Sequence, residues 1–355
     1  MNSDVTVVLT SDLLLRGPAH DRTAVAVLAP LSGIMGVAGP SVVNCALLAA
    51  EEVSSSTGRA IDLVLVNAGS DPSVVAAEVD ALVTGGLVSG LAGTHPSDVR
   101  EAVDRAVHGR VPYVFTPPHE HPLSDHAARY LGVGPLEQVL GPIRWLGAHR
   151  QVRRWALIGN DYVWPRQMHR AAAGALVALR YEVVLDTLVP IGEVDTQRLV
   201  GAAERAGADA LLVSLIGRDG ITFQRDFADS ASRPLIRLYT AFDENSLVAS
   251  GGDASGSAFA TLPSFVLQSD DRHLRLMEAY VGRFGVNAPV PSAYAVSAYE
   301  GMLTLATLCT SGMVEAGSRL TADGRAMLRS ARRTSPQLAW ADDNQFRVIE
   351  NLDRV

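Results

Sequence analysis

Hydroxyl groups, aromatic rings and a few histidines recur just past short apolar runs. These are the positions from which the chain could do chemistry. After "TAVAVLAP" (23–30) come Leu31, Ser32 and Gly33, and after "LVSGLAG" (87–93) come Thr94, His95, Pro96 and Ser97. The stretch "YVFTPPHEHP" holds Phe115, Thr116, Pro117 and His119. "WALIGND" leads into Tyr162 and Trp164, and "LLVSLIG" ends at Gly217, before Arg218 and Asp219. "LIRLYTAF" ends on Thr240, Ala241 and Phe242 and is followed by Asp243 and Glu244, while "FATLPSF" ends at Phe265. Such a set suits recognition of a small molecule better than bond breaking. Hydroxyls and helix-start N–H groups meet oxygen atoms, and rings with a polar handle cover apolar faces.

Ser97 stands where the helix "SDVREAVDRAV" begins, so it reads as an N-cap that can also meet a ligand. Tyr162 and Trp164 read as ligand contacts ahead of packing rings. Catalysis fares worse. Ser97 and His95 sit two residues apart on one loop, a spacing that rarely reaches nucleophile–base geometry, and no third orienting group is visible. The chain is therefore read as a binding protein, not an enzyme. His119 and His121 in "PHEHP" look like a metal pair, yet the flanking prolines make an irregular loop, and they read as solvated histidines. "GGDASG" has no following Lys and is no phosphate loop. Cys45 and Cys309 lack metal-ligand spacing and read as small buried hydrophobes. No metal and no cofactor are expected.

The elements that must position these residues alternate. Apolar, β-branched runs at 23–30, 60–69, 87–93 and 112–118 are separated by helical patterns at 42–53, 72–83 and 97–107. The rhythm restarts with a helix at 135–148, a strand at 154–161 and a helix at 165–179, and it continues to about residue 242. Long helical patterns follow at 269–285 and 291–312, and "QFRVIENL" (345–352) reads as a late strand. Strand–helix alternation predicts an α/β protein with two doubly wound parallel-sheet lobes and a ligand cleft between them. In such sheets ligands sit beyond the carboxyl ends of the strands.

Bulk numbers agree. The chain has 355 residues, 48% of them hydrophobic, enough for two domains. Net charge is −8, and all 30 basic residues are arginines scattered without a basic block, which argues against direct nucleic-acid binding. The opening "MNSDVTVVLTSDLLLRGPAHDRTAV" is a poor leader: Asp4 replaces positive charge, and Thr10, Ser11 and Asp12 break the apolar run. No stretch reaches ~18 uninterrupted apolar residues, so no membrane span is expected. The reading is cytoplasmic, or extracytoplasmic if a leader has been removed.

"AVLAPLSGIMGVAGPSVVNCALLAAEEV", "LAGTHPSDVREAV" and "PSAYAVSAYEGMLTLATL" resemble the type I periplasmic-binding-protein family, in its leucine- and amide-binding branch. "NDYVWPR" is similar to an Asp-Tyr-x-aromatic-Pro-Arg run in amide-sensing regulators of aliphatic amidase and related nitrile-hydratase regulators. The resemblance implies a first lobe of 23–134 plus 268–315, and a second of 135–267 plus 316–355. Residues 1–22 have no assigned place. It implies that Ser97 hydrogen-bonds the ligand, that His95 replaces a tyrosine, and that Phe115 or Thr116 adds a further contact. Tyr162 and Trp164 would cap the ligand, and Thr240 to Asp243 would approach from the next strand. His95 would then bring pH sensitivity near neutrality. The ligand implied is a small amide, amino acid or urea-like compound. The implied role is a cytoplasmic sensor acting on a regulatory protein partner, with a homodimer compatible; the alternative is the substrate-binding component of an ABC importer.

Overall fold

The computed structural model describes residues 4–19, 21–120, 128–314, 320–330 and 335–349. His121 lies outside them, as do positions 350–352 of the late strand.

The chain divides into two compact α/β units, Met1–Gly132 with Leu274–Arg333, and Val133–His273 with Thr334–Val355. The first holds β1 (Val5–Leu9), α1 (Thr10–Arg16), β2 (Arg22–Ala29), α2 (Gly39–Thr57), β3 (Ala60–Asn67), α3 (Pro72–Thr84), β4 (Leu91–Gly93), α4 (Ser97–Val107), β5 (Tyr113–Phe115) and β6 (Ala128–Tyr130). The second holds α5 (Pro135–His149), β7 (Arg154–Asn160), α6 (Val163–Ala178), β8 (Glu182–Val189), α7 (Thr196–Arg205), β9 (Ala210–Ser214), α8 (Gly217–Ser230), β10 (Ile236–Tyr239), α9 (Glu244–Ser250) and β11 (Ala258–Leu262). Near the second crossing runs α10 (Asp271–Phe284). Then α11 (Ala293–Thr310) and α12 (Ala322–Ser330) complete the first unit, and β12 (Gln337–Asp342) and β13 (Gln345–Val348) the second.

Each sheet follows from its sequence. β2 reads "RTAVAVLA" and is buried over its last six residues, as a strand covered on both faces must be. In the first sheet the order is β1-β3-β2-β4-β5-β6, all parallel. In the second it is β13-β12-β11-β10-β9-β7-β8, parallel except for β12 and β13. Both contain the same reversal. The chain leaves β2 for β3 on one side and returns to β4 on the other; likewise β7 for β8, then β9. Ligands of open α/β sheets bind at this switch point.

Local signals set the helix ends. Asp71 Oδ1 accepts from Ser73 N at 2.8 Å and Pro72 starts α3, while Gly58, at φ +66°, ends α2. α11 is buried on most of its circumference and packs on α2. Gly301 allows its backbone onto β5: a Cβ there would lie 2.3 Å from Thr116 Cγ2.

Two boundaries differ from the sequence reading. Residues 5–16 are not an unassigned extension, because "VTVVL" adds an edge strand parallel to β3, running Val5↔Ile61 to Leu9↔Leu65. Arg22 ties down its start, donating to Asp4 Oδ1 at 2.8 Å and to Asp62 Oδ1 at 2.6 Å. The tail also does not stay in one unit. Helix α12 groups with the first, beside α11, and only β12 and β13 extend the second sheet. No described helix is long and apolar enough to cross a membrane.

Candidate functional site

In the first unit the loops after β2, β3 and β4 meet at the switch point. Asn67, the last residue of β3, organises them. Its Oδ1 accepts from Leu31 N at 3.1 Å and Gly69 N at 3.0 Å, and its Nδ2 donates to Ser32 Oγ at 2.9 Å. Gly33, at φ +71°, and Gly69 let the two loops touch backbone to backbone. A Cβ on Gly69 would stand 2.0 Å from Ser32 O. Ser32 is thereby held exposed at the mouth. A small cavity of about 110 Å³ lies beside it, lined in part by Met35, Ser70, Pro96 and Asp98.

Ser97 is not the N-cap. It is the first helical residue of α4, Pro96 is the cap, and the Ser97 hydroxyl donates to Glu120 Oε2 at 2.9 Å. Behind it lies a buried ionic network that sequence periodicity did not reveal. Arg100 is fully buried, with Nη1 donating to Tyr130 OH at 3.2 Å and Nη2 3.5 Å from Glu120 Oε1. Its guanidinium lies 5.7 Å from the Tyr130 ring centroid and 6.0 Å from that of Phe115. Asp104, one turn on, is pushed up by burial, against the pull of Arg100. His119 is not a solvated loop residue. It is buried, its Nδ1 2.6 Å from Glu120 O and its ring 4.5 Å from that of Tyr130.

His95 turns into the core. Nδ1 donates to Pro96 O at 3.0 Å, so Nε2 carries the lone pair that accepts from Tyr113 OH at 2.9 Å. Burial first, and the charge of Arg100 after it, lower its pKa to about 4. The expected switch near neutrality is therefore corrected: both nitrogens are occupied and the ring stays neutral at physiological pH. Since the folded pKa lies below the unfolded value, this contributes stability that is complete above pH ~6.5. It is lost as pH falls towards 4, up to about 3 kcal/mol. The His95 ring protons should show no NMR titration between pH 5 and 8; a midpoint inside that range would refute the assignment.

The other first-unit candidates are mostly internal. Phe115 is fully buried in the core beside Tyr130, and Thr116 Oγ1 pairs with Thr94 Oγ1 at 2.7 Å. Pro117 is buried, its carbonyl so near Gly132 that a Cβ there would lie 1.9 Å from it.

In the second unit, Tyr162 and Trp164 follow β7 and Gly217 follows β9, the two strands flanking the reversal. Tyr162 is the N-cap residue of α6, and Trp164, its second residue, is 4% exposed with Nε1 lacking a hydrogen-bond partner among the described residues. Gly217 begins α8 at φ +47°. Asp219 is buried, and its Oδ2 accepts from Asn160 Nδ2 at 2.6 Å and Gly192 N at 2.8 Å. Asn160 Oδ1 in turn accepts from Ile216 N at 2.9 Å, so three loops are fastened together.

β10 and β11 supply the rest. Gln138 of α5 donates through Nε2 to Thr240 O and Thr261 O, both at 2.7 Å, fixing the two strand ends. Thr240 Oγ1 donates to Ser214 Oγ at 3.2 Å. Phe242 stacks on Tyr239 at 4.5 Å, and Phe265 meets Phe346 at 5.3 Å with the rings tilted by 56°; both are buried packing rings. Asp243 caps α9, Oδ1 accepting from Ser246 N at 2.9 Å, while its Oδ2, Glu244 Oε2 and Ser264 Oγ are buried without hydrogen-bond partners among the described residues. Glu244, named from sequence only as a strand-end residue and not as a contact, is buried. Burial, then the charge of Asp243, raise its pKa to about 8.

The sequence profile of a periplasmic binding protein family matches residues 23–346. No curated protein sequence matches the chain significantly. Among solved structures, the chain is similar to a leucine-binding protein of Thermotoga maritima (14% identity, 92% of this chain and 97% of the other, TM-score 0.78). It is similar also to a fatty acid ABC transporter substrate-binding protein of Thermomonospora curvata (16%, 96% and 95%, TM-score 0.77). A third is an ABC transporter solute-binding protein of R. palustris in complex with benzoate (14%, 92% and 95%, TM-score 0.75). At these identities the likeness is one of fold.

Proposed function

The chain belongs to the periplasmic binding protein family, and we propose that it is the solute-binding component of an ABC-type importer for a small amide, amino acid or urea-like compound. The observation that carries this reading is the gathering of polar, non-catalytic groups at the switch point of each sheet. These are Ser32 and Ser97 in the first unit, and Tyr162, Trp164 and Gly217 in the second, with Asp243 one strand further out, after β10. The fold-level likeness to substrate-binding proteins for leucine, benzoate and a fatty acid supports transport over sensing. His95, Phe115, Thr116 and Pro117 in the first unit, and Thr240, Phe242 and Phe265 in the second, are buried, so on this reading each group sets local shape more than hydrogen bonds.

A second reading, a ligand sensor acting on a regulatory partner, is favoured by "NDYVWPR" alone, through its similarity to the amide-sensing regulators.

The test is a thermal-shift panel of short amides, urea, nitriles and amino acids, followed by titration of Ser97→Ala. A ligand that binds only the folded state stabilises it by about 2.7 kcal/mol at a hundredfold excess over its Kd. Ser97→Ala should weaken binding about tenfold, the value of one polar contact. A host strain lacking the gene should lose uptake of that ligand; unchanged uptake with altered transcription would transfer the assignment to the sensor.

A further inference from the structure

We propose that Glu120 makes the strand-end mouth of the first unit select ligands that present N–H donors over ligands that present a carboxylate. The inference rests on the reading of Ser97 as a ligand contact, and it names the chemical class that contact takes.

A serine hydroxyl has one proton. That of Ser97 is committed to Glu120 Oε2 at 2.9 Å, so Ser97 offers a ligand only lone pairs. Glu120 adds acceptors of its own. It is 5% exposed, and its Oε1 accepts no hydrogen bond among the described residues; its nearest cation is Arg100 Nη2, 3.5 Å away. The α4 N-terminus and Arg100 would by themselves draw an anion. The chain has placed its own carboxylate there instead.

The surroundings do not restore a surplus of positive charge. Arg100 Nη2 is also 3.6 Å from Glu101 Oε1, and Asp104 lies one turn further along the same helix. Nη1 of Arg100 is taken by Tyr130 OH, and His119 Nδ1 by the backbone carbonyl of Glu120 itself; Arg100 Nε and Nη2 donate no hydrogen bond among the described residues, but both are buried, and Nη2 already lies between the carboxylates of Glu120 and Glu101. An incoming carboxylate would therefore meet a like charge in a poorly solvated place, with no proton on Ser97 to receive it. An amide or amine N–H would meet the lone pairs of Ser97, with the Glu120 carboxylate behind them to favour a donor.

Matched pairs of one carbon skeleton test this: acetamide and acetate, isobutyramide and isobutyrate, benzamide and benzoate. Each is titrated calorimetrically into the full chain, wild type and with Glu120→Gln or Glu120→Ala. The wild type should bind the amide at least tenfold more tightly than its carboxylate partner. Glu120→Gln keeps the side-chain shape but supplies donors, and should shrink that ratio tenfold or reverse it; Glu120→Ala should shrink it too. A wild-type preference for the carboxylate, or a ratio that neither variant moves, overturns the inference and leaves the ligand-binding reading standing. Binding of neither member of any pair overturns that reading and the inference with it. The wild-type ratio needs no variant, so a poorly folding mutant does not shelter the proposal.

Discussion

Glu244→Gln should stabilise the protein at pH 9 by about 3 to 5 kcal/mol while changing it little at pH 4. Glu244 begins α9 with its carboxyl group buried. Oε1 accepts from Val266 N at 2.7 Å, but Oε2 has no partner among the described residues, and Asp243 stands next to it. Burial therefore favours the neutral acid, with a folded pKa of about 8 against an ordinary value of 4.5. A folded pKa above the unfolded one means that the native state holds the proton more tightly. The stabilisation is complete below about pH 4.5 and is lost as pH rises through 8. Glutamine keeps an oxygen for Val266 N and never ionises, so it removes the loss at high pH. Urea unfolding of both proteins at pH 4.5, 7 and 9 checks this: the parent's stability should fall across the series relative to the variant's. Parallel profiles would show that Glu244 is ionised in the folded protein at neutral pH.

The sequence shows why Glu244 was hard to see. A single acid after a strand, at the start of a short polar helix, carries no periodic mark of burial. The alternation of apolar runs and helices, by contrast, is repeated many times over, and it made the central strands of both sheets legible, though not their order, nor the strands β6 and β12. The strand-end positions of Ser32, Ser97, Tyr162 and Trp164 were legible for the same reason, since position after a strand is itself a sequence property. What failed were assignments that depend on where one side chain turns. His95 rotates into the core to meet Tyr113 OH, and α4 buries the face that carries Arg100 and Asp104. Both are tertiary choices, made possible by partners on other elements: Glu120 and Tyr130 for Arg100, Tyr113 for His95. The N-terminal strand was missed because five residues with an exposed edge show too little alternation to stand out.

Trp164→Ala should destabilise the unliganded protein by about 3 to 5 kcal/mol, and Trp164→Phe by far less. The indole is 4% exposed near the start of α6, so truncation leaves a cavity that the helix start cannot fill. Packing alone, however, does not explain a tryptophan. Its Nε1 is buried without a hydrogen-bond partner among the described residues, and a buried donor left unpaired costs about 1 to 3 kcal/mol. Phenylalanine would keep most of the ring area and remove that cost, so as a purely structural residue it would serve nearly as well. On the proposed function, the acceptor for this N–H is a ligand at the end of β7, beside the sheet's reversal. Trp164→Phe should accordingly melt near the wild type yet bind ligand about tenfold more weakly, the value of one hydrogen bond in a dry site. Denaturation curves and ligand titrations on the two variants separate the roles. Unchanged affinity in the phenylalanine variant would make Trp164 a packing ring and leave Tyr162 and Gly217 to face the ligand at this reversal.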